Sequence, residues 1–357
     1  MMEGEGTFFS RSFPDSASVV RFQDALIEWF CANGKDYPWR RTSDPYAILV
    51  SELMLQQTQI AAVLEKKYFE RWMRRFPTPG ALATAEESAV LKAWEGLGYY
   101  NRARNLQKAA RTICDEFQGE FPGSYEAILA LPGVGRYTAG AVLSFAFGRR
   151  GVIVDGNVSR VISRLLAFST PIDSSSGIKA VWDYANRLTP DDRARHYNSA
   201  IMELGQRVCT KSHPNCMICP VSEWCSAKKQ GISDILPQKK TKQAPVERVE
   251  RVILPIRERK IFLTQESGTR RKGLWRLPEI SEEEAEDLEE LFRFKYAITR
   301  YRVTLIVHAP GPLQAEMLEN SGGGKWFRIG SLDELPPLGS PYRKAISQHQ
   351  CTSELSD

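Results

Sequence analysis

Three sets of residues in this chain carry chemistry by their type and spacing. Cys209, Cys216, Cys219 and Cys225 stand at C-x6-C-x2-C-x5-C, and four thiolates gathered this closely hold either a tetrahedral zinc or a cubane iron–sulfur cluster. Zinc sites usually pair two short hooks across a longer loop, whereas here one short hook is joined by two lone ligands. That layout suits a cluster better. His213, inside the loop, reads as a surface residue rather than a ligand, and Cys31, Cys114 and Cys351 read as ordinary scattered thiols.

The second set is a pair of carboxylates. At about 100° per residue, Ile48, Leu49, Leu53, Leu55, Ile60 and Val63 fall on one broad arc, and Glu52 lies inside it. A carboxyl carried on a buried stripe is desolvated, so its pKa should rise and it can serve as a general acid near neutrality. A salt-bridged glutamate at the edge of the stripe is the alternative. Asp155 follows the apolar Val152-Ile153-Val154 and precedes a helix striped at Val158, Val161, Ile162, Leu165 and Leu166. At or just before the N-cap, backbone N–H groups and the helix dipole favour its ionised form. Plain capping, shared with Asn157, is the structural alternative. One acid held neutral and one held charged is the division of labour that acid-assisted cleavage of a glycosidic bond requires.

The third set suits a polyanion and its bases. Leu131-Pro132-Gly133-Val134-Gly135 lies between two helical segments, the second striped at Ala139, Val142, Leu143 and Ala146. Gly133 and Gly135 let the backbone turn tightly and aim N–H groups at a phosphate from a helix N-terminus. Such a helix–hairpin–helix grips DNA without reading its sequence; an ordinary αα-corner is the alternative. Gln56-Gln57-Thr58 and the turn Leu97-Gly98-Tyr99-Tyr100 offer amide and flat side chains of the kind that wedge into a base stack.

The elements that must position these groups divide into two textures. With 357 residues, 42% hydrophobic and 25% charged, the chain has the composition of a soluble globular protein and is long enough for two domains. From Val19 to about Gly205 it reads as successive amphipathic helices broken at Pro38, Pro77, Pro122, Pro132 and Pro171. Residues 16–230 are expected as one helical domain with the cysteine loop at 209–225. Residues 231–248, with Gly, Pro and Lys, read as a tether, and 249–350 as an α+β module. Its strands are expected at Val249–Pro255, Lys260–Thr264, Tyr301–Val307 and Lys325–Arg328, with a helix over the acidic 281–294 segment. The net charge of +5 permits a polyanionic partner, with Lys228, Lys229, Lys239, Lys240 and Lys242 crowding the connector. No run of eighteen apolar residues and no basic-then-apolar start at Met1–Asp15 is present, so neither a membrane span nor a secretory signal is expected. The cysteines point to a reducing interior.

The segments Pro38–Arg40, Asp44–Tyr46, Val50–Gln59, Leu91–Leu106, Leu131–Val142 (LPGVGRYTAGAV) and Val154–Val161 (VDGNVSRV), with the four cysteines, closely resemble the MutY-type adenine DNA glycosylases of the helix–hairpin–helix superfamily. The resemblance covers about residues 19–230. It implies a mainly α fold, a 4Fe-4S cluster on Cys209, Cys216, Cys219 and Cys225, and hydrolysis of the N-glycosidic bond of adenine mispaired with 8-oxoguanine or guanine in double-stranded DNA. Carried over residue by residue, Glu52 resembles the acid that protonates adenine and Asp155 the carboxylate facing the oxocarbenium sugar. Arg40, Glu203, Tyr137 and Asn157 match adenine-pocket and sugar-facing positions; Gln57, Thr58, Leu97 and Tyr99 match those near 8-oxoguanine. The related endonuclease III type has Lys where this chain has Tyr137. A tyrosine cannot form its imine, so a monofunctional glycosylase is expected.

The C-terminal module is similar to the family's Nudix-like recognition domain through Gly273-Leu274-Trp275-Arg276-Leu277-Pro278. Asp287-Leu288-Glu289-Glu290 departs from the magnesium-binding glutamate run, so binding without hydrolysis is expected. Ile298-Thr299-Arg300 stands where the family commonly has Phe-Ser-His, leaving Thr299 as the hydroxyl toward 8-oxoguanine. A cytoplasmic, nucleoid-associated bacterial monomer without a membrane partner is expected. The rival readings are an endonuclease III-like pyrimidine or thymine glycosylase and a non-catalytic, cluster-bearing DNA sensor.

Overall fold

The computed structural model describes residues 12–13, 15–241, 244–268, 271–312, 318 and 323–353. Lys242 and the start expected to lack a signal (residues 1–11) fall outside the described residues, as does the side chain of Cys351. The chain forms two compact units, and they do not follow it linearly. One comprises Met1–Ala83 with Lys108–Thr241, the other Thr84–Gln107 with Lys242–Asp357.

The first unit is helical. Its core gathers Phe22, Leu26, Ile162, Leu165, Tyr184, Tyr197, Ile201 and Leu204, contributed by the helices Ser16–Asn33, Gly156–Leu165, Ser175–Leu188 and Ala194–Arg207. The helix Pro45–Leu55 starts at Asp44, whose carboxylate accepts from the Tyr46 N–H at 3.0 Å, with Pro45 where a missing N–H does no harm. Every residue from Tyr46 to Met54 is buried. This corrects the one-arc reading: Glu52 is buried because its helix is enclosed on all sides. The helix also ends at Leu55, and Ile60 and Val63 belong to a separate helix, Ile60–Glu65. Gln57, with φ 56°, turns the chain between them.

The helix Tyr125–Ala130, capped by Ser124, leads through Leu131–Gly135 into Arg136–Phe147. Gly133 has φ 78°, a left-handed value that glycine adopts without strain, and no side chain caps the second helix at Gly135. The hairpin expected there is present. Within Arg136–Phe147, Gly140 lets the Gly151–Val152 backbone pack directly on the helix, since a Cβ at Gly140 would stand 2.1 Å from the Val152 carbonyl oxygen. That contact fixes the extended stretch leading to Asp155.

Residues 231–241 were expected as tether but pack onto the first unit. Leu236 is buried with Ala167 and Ala227, the Ile172 N–H donates to the Gln238 carbonyl at 3.0 Å, and the Lys240 N–H donates to Asp173 at 2.8 Å.

In the second unit, β1 (Val246–Ile253), β2 (Ile256–Arg257), β3 (Lys260–Gln265), β4 (Trp275–Arg276), β5 (Glu290–Ile298), β6 (Tyr301–His308) and β7 (Gly324–Arg328) form two sheets. One has the order β1-β6-β5, with β1 parallel and β5 antiparallel to β6; the other has β2-β3-β4, with β7 also on β3. β1 takes the last residues of the expected tether. The expected 281–294 helix shrinks to Glu282–Ala285, closed by a capping box on Ser281. Beyond it, Phe292, Phe294, Tyr296 and Ile298 alternate with exposed residues and pair as β5, because a period of two buries one face of a strand. The helix Ser340–Ser353, which the sequence reading lacked, covers this core with Tyr342, Ala345 and Ile346.

Candidate active site

A cleft of about 1450 Å³ opens in the first unit, lined by Arg40, Glu52, Gln57, Thr58, Gly133, Gly135, Tyr137, Asp155 and Asn157 among others. The two carboxylates, 103 positions apart in sequence, thus meet in one cavity. Glu52 is 6% exposed. Burial pushes its carboxyl up to about 7; a hydrogen bond with the Tyr137 hydroxyl and the Arg40 charge oppose this, while the nearby Asp155 charge adds to it. The Tyr137 phenol is itself held well above its ordinary value, chiefly by burial, so it stays a donor to Glu52. Its oxygen also lies 3.9 Å from the Met202 sulfur.

Asp155 caps Gly156–Leu165 as expected: Oδ1 accepts from the Val158 N–H at 2.7 Å and Oδ2 from the Asn157 amide at 3.0 Å. These bonds lower its pKa, as does Arg160, but burial outweighs them and the net direction is upward. The expectation of a carboxylate simply stabilised by its cap is corrected on this point. The cap donors hold Asp155 against desolvation, whereas Glu52 has no comparable set.

Glu203 is fully buried and does not line the cleft. It pairs with Arg40 at 2.9 Å and Arg207 at 3.4 Å, and both arginines do line it. The Arg40 guanidinium also lies 4.7 Å from the Tyr37 ring and 5.1 Å from the Phe30 ring, a cation–π seat. Leu97, Tyr99 and Thr299 belong to the second unit. Leu97 is buried and Tyr99 is 48% exposed with φ 47°. Thr299, φ 52°, sits at the tip of the β5–β6 hairpin, where Ile298 pairs with Tyr301.

Two arginines that the sequence reading did not single out tie the Asp155 helix to the cysteine loop. Arg160 donates to Asn157 Oδ1 at 2.8 Å, the Gly205 carbonyl at 2.6 Å and the Cys209 carbonyl at 2.8 Å. A line of hydrogen bonds therefore runs from Asp155 through Asn157 and Arg160 to Cys209. Arg164, 1% exposed, donates to Cys209 Sγ at 3.3 Å and to the carbonyls of Thr210, Lys211 and Leu236 at 2.6, 3.1 and 3.0 Å. Their spacing, one and two turns after Gly156 on a helix leading from a carboxylate, was the available signal. None of the four cysteines is in a disulfide. Cys219 feels the charges of Cys209, Cys216 and Cys225, and burial pushes it up to about 12. Among the described residues no three His, Cys, Asp or Glu side chains gather tightly enough to hold a single metal ion.

A glycine-turned hairpin opening on a cleft with a buried glutamate and a capping aspartate defines a helix–hairpin–helix fold. The HhH-GPD superfamily base excision DNA repair protein family matches residues 50–183. A solved thermostable thymine-DNA glycosylase is similar at a TM-score of 0.54 and 30% identity, over 60% of this chain and all of that one. An endonuclease III–DNA complex is similar at a TM-score of 0.50 and 26% identity, over 60% and 98%. Adenine DNA glycosylase of Homo sapiens is 42% identical over 227 residues, 61% of this chain and 41% of that protein. The one of Buchnera aphidicola subsp. Acyrthosiphon pisum is 33% identical over 243 residues, 68% and 69%. The chain belongs to the adenine DNA glycosylase family. It spans less than half the length of its human and rat relatives. No described helix is long and apolar enough to cross a membrane.

Proposed function

We propose that this protein excises adenine mispaired with 8-oxoguanine or guanine in double-stranded DNA, by hydrolysis of the N-glycosidic bond. The observation that carries the reading is Glu52, buried, held to about 7 and sharing its cleft with Asp155. Glu52 gives its proton to the departing adenine, which leaves as a neutral base, and the sugar is left as an oxocarbenium ion. Asp155, its oxygens fixed by Val158 and Asn157, faces that positive charge until water attacks C1′ and sheds a proton. Tyr137 orients Glu52, and Glu203 holds Arg40 at the base pocket. Gly133 and Gly135 face a DNA phosphate. Gln57, Thr58, Leu97, Tyr99 and Thr299 serve the opposite base. A relative whose structure is a trapped endonuclease III–DNA covalent intermediate supports DNA as the partner, but Tyr137 offers no amine, so strand cleavage through an imine is not part of the reaction.

Cys209, Cys216, Cys219 and Cys225 would hold a 4Fe-4S cluster, whose own atoms keep four thiolates apart, as one zinc ion would not. When bound, it supplies a covalent staple for loop 209–225 and a one-electron couple that hydrolysis does not need. The unit built on β1–β7 is proposed as a Nudix-like recognition module.

The test is single-turnover base release from duplexes with adenine opposite 8-oxoguanine or guanine, and thymine opposite guanine. Adenine release without strand cleavage is expected. Release of thymine but not adenine would overturn the reading in favour of the thymine-type relative.

A further inference from the structure

Thr84–Gln107 lies among residues of the first unit in sequence, yet it is built into the second. The anchor is Glu95, whose side chain is 9% exposed. Its Oε1 accepts from the Leu338 N–H at 3.0 Å, and its Oε2 accepts from Arg343 at 2.6 Å and Lys92 at 2.9 Å. Lys92 also donates to the Leu335 carbonyl at 2.7 Å, and Tyr100 to that of Leu338 at 3.1 Å.

Immediately after Glu95 the backbone turns through left-handed conformations. Gly96, Gly98 and Tyr99 have φ of 94°, 70° and 47°, and a left-handed tyrosine persists only where its surroundings hold it. Arg102 braces the turn by donating to the carbonyls of Leu97 and Gly98 at 2.8 and 2.9 Å, and Trp94 donates to Gly98 at 3.2 Å. The Tyr99 ring, 5.7 Å from the Arg102 guanidinium, is left 48% exposed. Everything beneath the ring is fixed; the ring is offered outward.

We propose that Glu95 is a positioning residue through which the C-terminal module, by Arg343 and Leu338, sets the Tyr99 turn for insertion beside the mispair. This rests on the reading that Tyr99 meets DNA. The module thereby acts on the DNA stack through a segment that precedes it by well over a hundred residues, in addition to any contact of its own. Removing the Glu95 carboxylate unpins the turn, and the consequence must pass through Tyr99.

The test is epistasis in the full-length chain, with an A:8-oxoguanine duplex carrying 2-aminopurine beside the mispair, whose fluorescence rises when neighbours unstack. Tyr99→Ala should lower affinity and fluorescence gain about fivefold or more, the low end of what one base–aromatic stack is worth. Glu95→Ala and Arg343→Ala should reproduce most of that loss alone and add nothing in a Tyr99→Ala background. Losses of equal size with and without Tyr99, or none from either variant, would overturn the proposal. Where Glu95→Ala does not fold, Arg343→Ala carries the test, because it leaves Lys92 and the Leu338 N–H on Glu95. Adenine release measured on the same wild-type sample separates a failure of the functional reading from a failure of this pinning.

Discussion

Replacing Glu52 by glutamine should disable the enzyme and stabilise it at once, and the second effect has a pH signature. The carboxyl is held at about 7 against an ordinary 4.5. At about 1.4 kcal/mol per pKa unit, ionised Glu52 weakens the folded state by about 3 kcal/mol. The sign follows from a folded-state pKa that is raised: the penalty is absent below pH 4.5, grows as the unfolded chain ionises first, and is complete above about 7. Glutamine has nearly the same shape and does not titrate. Most of the divergence falls between about pH 5 and 8, where it should raise the variant's melting temperature over wild type by roughly 5–10 °C for a unit of this size. Over the same substitution, single-turnover adenine excision should fall by at least about 100-fold, the lower range for loss of a general acid, while duplex binding persists. Thermal melts at both pH values and a rapid-quench excision assay suffice. A melting difference that does not change with pH, or excision at the wild-type rate, refutes the reasoning.

Wild-type excision at saturating enzyme should decline as pH rises through about 7, as Glu52 loses its proton; a rate flat to pH 9 would exclude it as the acid. Gly140→Ala puts a methyl 2.1 Å from the Val152 carbonyl and should cost about 1–3 kcal/mol, read by denaturant melts, with excision falling more than duplex binding because the stretch before Asp155 moves. Arg160→Gln breaks the bonds to Asn157, Gly205 and Cys209; slower excision with iron still bound is expected, and unchanged rates would mean that Asn157 orients Asp155 unaided. Cys219→Ser should abolish the visible absorption and iron content of the purified protein, and full retention of both would remove it from the ligand set.

What the sequence made legible was local. The LPGVG turn, the Asp155 cap and four of the seven strands among the described residues follow from short-range patterns of glycine, capping residue and alternation, and they are found where those patterns fall. Glu52 was placed correctly for an incomplete reason: a helical projection sees one arc, whereas enclosure on all sides depends on neighbours from distant segments. The 281–294 segment misled because acidic residues favour helix, yet the alternation beginning at Phe292 decides the strand once β6 is there to pair with it. Thr84–Gln107 could not have been assigned to the C-terminal module from sequence, since Glu95 finds Arg343 only across 248 positions. The net pull on Asp155 was equally hidden, because a cap is local and burial is not.

Arg164 gives the cysteine loop a role that does not depend on what the sulfurs hold. Its guanidinium sits almost wholly out of water, and its acceptors are supplied by Cys209, Thr210, Lys211 and Leu236. Were that stretch to come loose, a positive charge would be stranded inside the protein, a penalty of several kcal/mol. The same helix begins at Asp155. Order in the loop and the aim of a carboxylate less than three turns of helix away are therefore one folding event, and an injury to either end should be felt as softness at the other.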